Sequence, residues 1–377
     1  MEKSVIIFVK SNLLDRDIRL PKEITALNKA GQKAKLILWD RVCNNKNSAR
    51  QTEFEEITLR LKAPWGIKIL LFLPIWWSFV FINLLVTKYD VIHAVNFDSI
   101  IPALIAGKLK KKPIVYEILD VYVDEIVLPQ LIRKITLGVD KIFMRFSNAI
   151  IVADEMQIEG IGGIPNNKIV PIYDSPPNAF IGNINEFQKD NNTFTLFFAG
   201  VLNKARQLNL DKVIEAIKDI DGIKLIIAGY GDLVDNIKEW VSQMPEKVEF
   251  IGAISYTEVI QNGLKSDLFF ILRDPIVPAN QYTCGSTLFN AMICGKPILA
   301  NDGSSTASKV RENNCGLVVN ANDINQIKQA IIKLRDDPEL CQKLGANARK
   351  AYNEKFAWLL MEQRLIRLYQ EVVENKK

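Results

Sequence analysis

Short runs rich in branched aliphatic residues alternate with segments of helical period along this chain; the alternation stops once and then restarts. In the first half the runs fall at residues 5–9, 34–39, 57–61, 91–94, 114–117, 149–152 and 169–172, with helical stretches such as 20–30, 100–109 and 131–147 between them. Such alternation is the signature of βαβ units, and so of a parallel sheet with helices on both faces. Residues 174–192 contain SPPNAFIGNINEFQKDNN, which is rich in Pro, Asn and Gly, has no period, and reads as a linker. Beyond it strands are expected at 195–199, 224–228, 248–251, 268–272, 297–300 and 316–319, with helices that include 210–220, 257–264, 286–294 and 324–335. The expected fold class is α/β, with two Rossmann-like domains, 1–173 and 193–356, facing each other across a cleft. A last amphipathic helix, 357–377, belongs to the second domain or packs back on the first.

Composition supports two domains. The chain has 377 residues, 48% of them apolar and 24% charged, enough for two cores. Its five cysteines (Cys43, Cys284, Cys294, Cys315, Cys341) are odd in number, scattered, and form no CxxC, which points to reduced thiols in the cytoplasm and away from a disulfide framework or a zinc site. The start, MEKSVIIFVK, reads as a first strand and not as a signal peptide. Net charge is +5, and residues 1–180 hold the whole excess, 24 Lys and Arg against 19 Asp and Glu. No zinc-finger, RNP or basic-helix pattern accompanies that charge, so no nucleic acid is expected as a partner and an anionic membrane surface is.

The same half carries residues 66–86, GIKILLFLPIWWSFVFINLLV. A bilayer span needs about 20 apolar residues. Lys68, Pro74 and Asn83 interrupt this one, and a span would put strands of one sheet on opposite sides of the bilayer. A helix that stays with its domain is expected, with Phe72, Trp76 and Trp77 resting on the cytoplasmic leaflet. A deeply buried helix is the alternative.

The second half carries the chemistry. In DPIVPANQYTCGSTLFNAMICGKPILAND, Gly285, Ser286 and Thr287 open a helix whose free N–H groups and dipole suit an anion, most naturally phosphate. The first strand of this half runs into AGVLNKARQL, where Gly200 permits close approach of the backbone and Lys204 and Arg206 can reach a diphosphate. Another strand ends in IIAGYGD, with Gly231 in its turn.

These pieces, with DRDIRLPKEITALNKAGQKAKLILWD, YDVIHAVNFDSIIPALIAGKLKKKPIVYEILD, VEFIGAIS and LFNAMICGKPILAND, resemble in order and spacing the retaining glycosyltransferases of family 4, which have GT-B architecture. The resemblance implies transfer of a sugar from a UDP- or GDP-linked donor, held by the second domain, with no metal or other cofactor. Arg206 and Lys204 then clamp the donor diphosphate, Gly285, Ser286 and Thr287 cradle it, and Ala253 and Ile254 meet the base. Asp120 matches the acidic half of a His-Asp pair near the transferred sugar, but Leu119 stands where the family has the His. His93, Asp98 and Glu117 are candidates on the acceptor or sugar side. Tyr282 and Asn290 occupy the places of two family glutamates, of which the second normally binds ribose. The family's front-side attack, in which leaving phosphate takes the acceptor's proton, needs no strong protein base. The expected protein is a peripheral membrane glycosyltransferase acting on a lipid-linked glycan; a non-catalytic partner of an active transferase is the alternative.

Overall fold

The computed structural model describes residues 4–14, 17–43, 54–64, 66–119, 130–166, 168–178 and 193–374. The chain forms two compact units, Met1–Ile172 with Met361–Lys377, and Tyr173–Leu360.

The first unit is built on seven parallel strands: β1 Val5–Lys10, β2 Lys33–Asp40, β3 Glu55–Arg60, β4 Val91–Val95, β5 Ile114–Ile118, β6 Ala149–Val152 and β7 Ile169–Pro171. Their order is β3-β2-β1-β4-β5-β6-β7, so the direction of winding reverses between β1 and β4. The central strands VIIFVK, VIHAV, IVYEI and AIIV are near-continuous apolar runs because both faces of the sheet are covered. One face meets the helices Leu73–Val86, Phe97–Lys110 and Gln130–Phe146 in a single core that includes Val9, Trp39, Trp76, Val80, Ile92, Ile100, Tyr116 and Met144. The helices Arg19–Lys29 and Trp358–Glu374 send Arg19 and Tyr369 to Glu117 and His93. The sequence left the last helix between two placements; from Met361 onward it belongs to the first unit.

The apolar run 66–86 is two pieces, a 3₁₀ stretch Gly66–Leu71 and the helix Leu73–Val86 with Pro74 in its first turn. Among the described residues, no helix is long and apolar enough to cross a membrane. The expected membrane contacts need correction. Trp76 is fully buried and stacks on Trp39 at 5.6 Å. Trp77 and Phe72 are half-buried against the same core. Both indole N–H groups donate to the backbone oxygen of Asp98, at 3.2 Å from Trp76 and 2.9 Å from Trp77. A buried indole needs such a partner, and finding it here turns both rings inward. The large apolar residues left outside are Leu70, Leu71, Ile75, Ile82, Leu85 and Val86.

The second unit has six parallel strands: β8 Phe194–Val201, β9 Ile223–Tyr230, β10 Val248–Gly252, β11 Leu268–Ile271, β12 Ile298–Asn301 and β13 Gly316–Val319. Their order, β10-β9-β8-β11-β12-β13, reverses between β8 and β11. Leu196, Phe198, Leu225, Ile227 and Phe270 form the core on one face with Val213, Ile217, Ile327 and Ile331 from the helices Leu210–Ile217 and Ile324–Asp336.

Two tests follow from the first core. Trp76→Ala should cost roughly 3–5 kcal/mol, seen as a large drop in melting temperature, because a packed aromatic is removed; a membrane-facing residue would leave the melt almost unchanged. Asp140, on Gln130–Phe146, accepts the Tyr116 hydroxyl at 2.8 Å, yet burial pushes its carboxyl from 3.8 up to about 7. A raised carboxyl contributes most while protonated, so stability is lost as pH rises from about 4 through about 7. Asp140→Asn keeps an acceptor for Tyr116 and removes the charge. The variant should melt near the wild type at pH 5 and above it at pH 8, by the equivalent of about 2–4 kcal/mol.

Candidate functional site

In open parallel sheets, ligands bind beyond the carboxyl ends of the strands where the winding reverses. In the second unit that place lies between β8 and β11, and the loops there are tightly stitched. Beyond β8, Leu202 N–H donates to Tyr230 O at 2.8 Å and Leu233 N–H donates to Leu202 O at 3.0 Å. Such approach requires glycine opposite. A Cβ on Gly229 (φ +149°) would lie 2.0 Å from Gly200 O, and one on Gly231 (φ +145°) would lie 2.2 Å from Leu202 O.

The turn Lys204–Arg206 follows, held from several sides. Asn203 Oδ1 accepts from Ala205 N–H and Asp232 Oδ1 accepts from Lys204 N–H, each at 2.8 Å. Asn280, on the short helix Pro278–Tyr282, is buried, and its Nδ2 donates to Arg206 O at 3.0 Å and Asp274 O at 2.8 Å. Asp274 N–H donates to Gln207 O at 3.0 Å. The loops after β8 and β11 are thus one piece, with Lys204 exposed and Arg206 half-buried on it.

Gly285 caps the helix Ser286–Cys294, and beside it sits a cation that the sequence reading missed. A Cβ on Gly285 would meet the Arg273 guanidinium nitrogens at 3.0 and 3.2 Å. Arg273 lies two residues beyond the end of β11, the strand adjoining β8; a basic residue at that place was the available signal. Ser286 is half-buried. The Thr287 side chain faces the sheet, its hydroxyl donating to Ala199 O at 3.3 Å, so only its backbone N–H is left for an anion. Asn290 is buried too, and its Oδ1 accepts the Tyr256 hydroxyl at 2.6 Å. Tyr282 is half-buried at the end of its short helix. Ala253, exposed, and Ile254, half-buried, lie in the turn after Gly252, ahead of the Ser255–Glu258 capping box.

In the first unit the reversal lies between β1 and β4. Asp98, in the first turn of Phe97–Lys110, accepts a hydrogen bond from the Ser11 hydroxyl at the end of β1 and lies 3.4 Å from Arg41 Nη2. Burial raises its carboxyl, against the pull of Ser11 and Arg41. Asn96, at φ +61°, accepts Leu119 N–H on Oδ1 at 3.0 Å and so fixes the end of β5. Asp120 lies outside the described residues.

His93, at the middle of β4, and Glu117, one residue before the end of β5, are brought together at 2.9 Å. They point into a covered sheet face and are 0% and 1% exposed, which corrects the expectation that they meet an acceptor. Their partners are structural: Tyr369 on His93 Nδ1, and Arg19 on Glu117, with Arg19 Nη1 also donating to Ile172 O at 2.7 Å. Burial alone would raise Glu117, but Arg19 and His93 hold it well below the usual carboxylate range. Burial and the nearby Glu117 charge push Glu23 well up. Ligand atoms of Glu23, His93 and Glu117 lie within 4.8 Å of one another, but the Arg19 guanidinium already stands 3.1 Å and 2.6 Å from the two carboxylates, where a cation would go.

Comparison with known proteins adds the family. Residues 182–351 match the family model described as glycosyl transferases group 1. A relative from Corynebacterium glutamicum, a GDP-mannose-dependent monoacylated alpha-(1-6)-phosphatidylinositol monomannoside mannosyltransferase, is 24% identical over 42% of this chain and 43% of its own. The chain spans about half the length of the curated relatives it matches. Among solved structures, sucrose-phosphate synthase from Thermosynechococcus elongatus is similar over 99% of this chain and 100% of its own, with TM-score 0.80 and 16% identity. Anabaena HepE in complex with UDP is similar over 98% and 100%, with TM-score 0.75 and 15% identity; it has also been solved with UDP-glucose. The fold is that of GT-B glycosyltransferases.

The glycine edge gives a paired test. Gly229→Ala should destabilise the second unit by more than about 2 kcal/mol, since it combines a backbone clash with an unfavourable φ. Gly252→Ala, at φ +73° with nothing within 4 Å of the new Cβ, should cost only about 1 kcal/mol in the same denaturant titration.

Proposed function

We propose that this chain transfers a sugar from a UDP- or GDP-linked donor to a lipid-linked glycan acceptor, with retention of configuration. The observation that carries the reading is the cationic edge of the second sheet, where Arg206 and Lys204 sit on the β8 loop and Arg273 stands beside the Gly285 helix start. When the glycosidic bond breaks, negative charge develops on the departing diphosphate. Fixed cations and a helix N-terminus stabilise it in place, an effect large in many enzymes. The same cations can supply what a divalent ion would, so the reaction needs no metal. The carboxylates replaced by Tyr282 and Asn290 are dispensable if leaving phosphate takes the acceptor's proton. The relative acting on a phosphatidylinositol mannoside supports a lipid-linked acceptor, and HepE bound to UDP-glucose supports a nucleotide-sugar donor. Such an acceptor places the protein on the cytoplasmic membrane surface.

The commitment of Asn290 to Tyr256 favours one second reading, a non-catalytic partner of an active transferase. Calorimetry with UDP and GDP, beside a donor-hydrolysis assay in EDTA, separates the two: a partner would bind nucleotide without ever turning over a donor. Arg206→Ala and Arg273→Ala should each weaken nucleoside diphosphate binding by about 1.5–3 kcal/mol, the range for charged hydrogen bonds, with little change in melting temperature. Unchanged affinity in both would remove the cationic edge from the donor site.

A further inference from the structure

The helix Gln130–Phe146 has two apolar faces where a surface helix has one. Its inner face gives Leu137, Phe143 and Met144 to the core. Its outer face carries Leu131, Ile135, Val139, Ile142 and Phe146, which are 70%, 59%, 36%, 52% and 53% exposed. Steps of four, four, three and four residues put all five on one stripe, within roughly 80° of arc at 3.6 residues per turn. The stripe is not isolated. Lys108 Nζ lies 5.6 Å from the Phe146 ring, joining it to Phe97–Lys110, whose Ile105 and Leu109 are exposed. Lys110 Nζ in turn binds the carbonyls of Leu84, Leu85 and Thr87 at the end of Leu73–Val86, whose Ile75 and Ile82 are exposed. All three helices cover the same face of the first sheet, so these side chains form one outward apolar surface.

Charge identifies the occupant. Lys108, Lys134 and Arg145 border the surface, with Lys111 just beyond it. The only acids on the three helices, Asp98 and Asp140, are both buried. A second copy docking by the same face would set these cations against their own kind. An anionic bilayer complements them while taking up the aliphatic side chains.

We infer that the outer faces of Gln130–Phe146, Phe97–Lys110 and Leu73–Val86 form a docking surface for an anionic lipid bilayer, with the Leu131–Phe146 stripe as its principal inserting edge. This deepens the membrane side of the function proposed above and rests on that part of it.

Co-sedimentation with vesicles tests it. The wild type should bind vesicles of phosphatidylcholine mixed with phosphatidylglycerol, bind phosphatidylcholine alone much more weakly, and be released by high salt, which shortens the screening length to about 3 Å at 1 M. The triple variant Leu131→Ser, Ile135→Ser, Ile142→Ser should lose at least about a hundredfold in binding, from three aliphatic side chains withdrawn from lipid. A second variant, Lys134→Glu with Arg145→Glu, leaves the aliphatic stripe intact and should lose at least about tenfold on the mixed vesicles. Melting temperature and nucleoside diphosphate affinity should hold in both. A wild type that ignores the mixed vesicles overturns the inference, as do variants that bind like the wild type. So does a dimer, seen by light scattering, that the triple variant splits. Vesicle binding without nucleoside diphosphate binding would sink the transferase reading and leave the surface standing; nucleotide binding without vesicle binding would do the reverse.

Discussion

A parallel sheet buried on both faces imposes the rest of this structure. Its strands cannot be joined by hairpins, so each connection crosses a face, and every strand ends on the same edge. Where the winding reverses, neighbouring loops leave in opposite directions and the edge stays open. The chain builds this arrangement twice, at β1/β4 and at β8/β11. Ser11, Arg41 and Asp98 gather at the first opening, and Arg273 and Gly285 at the second, though each group comes from separate stretches of the sequence.

Period and punctuation made the framework legible. The run AIIV reads as a strand covered on both sides, GLVV as a short strand, and Gly285 and Gly295 bracket the helix Ser286–Cys294 from the sequence alone. Side-chain direction was less legible. His93 and Glu117 sit near strand ends in sequence, but which face they point to depends on parity, and what covers that face depends on Arg19 and Tyr369, far away in the chain. Trp76 misled for a similar reason. An indole beside another indole in an apolar run suits a membrane edge as well as a core, and the decision came from the Asp98 carbonyl, 22 residues on. Arg273 was missed because its importance lies in what Gly285 lacks: the guanidinium fills the space that a Cβ would need.

The buried polar cluster of the first unit then takes on a definite task. The chain leaves this unit after Ile172 and re-enters it at Met361. Arg19 holds the leaving end through Ile172 O, and Tyr369 holds the returning helix through His93. Arg364 Nη1 also donates to Pro171 O at 3.2 Å, and Lys168 pairs with Glu371 at 2.9 Å, so the returning helix runs beside β7, from which the chain departed. Pairing a carboxylate with a guanidinium in the interior stabilises less than an apolar pair would, while removing one partner is strongly destabilising. Such a cluster is therefore better suited to fixing which helix docks on the sheet than to adding stability. The only histidine of the chain is spent on that registry, which leaves no imidazole for proton transfer at either open edge. Under the transfer proposed above, a donor diphosphate that takes the acceptor's own proton would ask of these residues only cations held still.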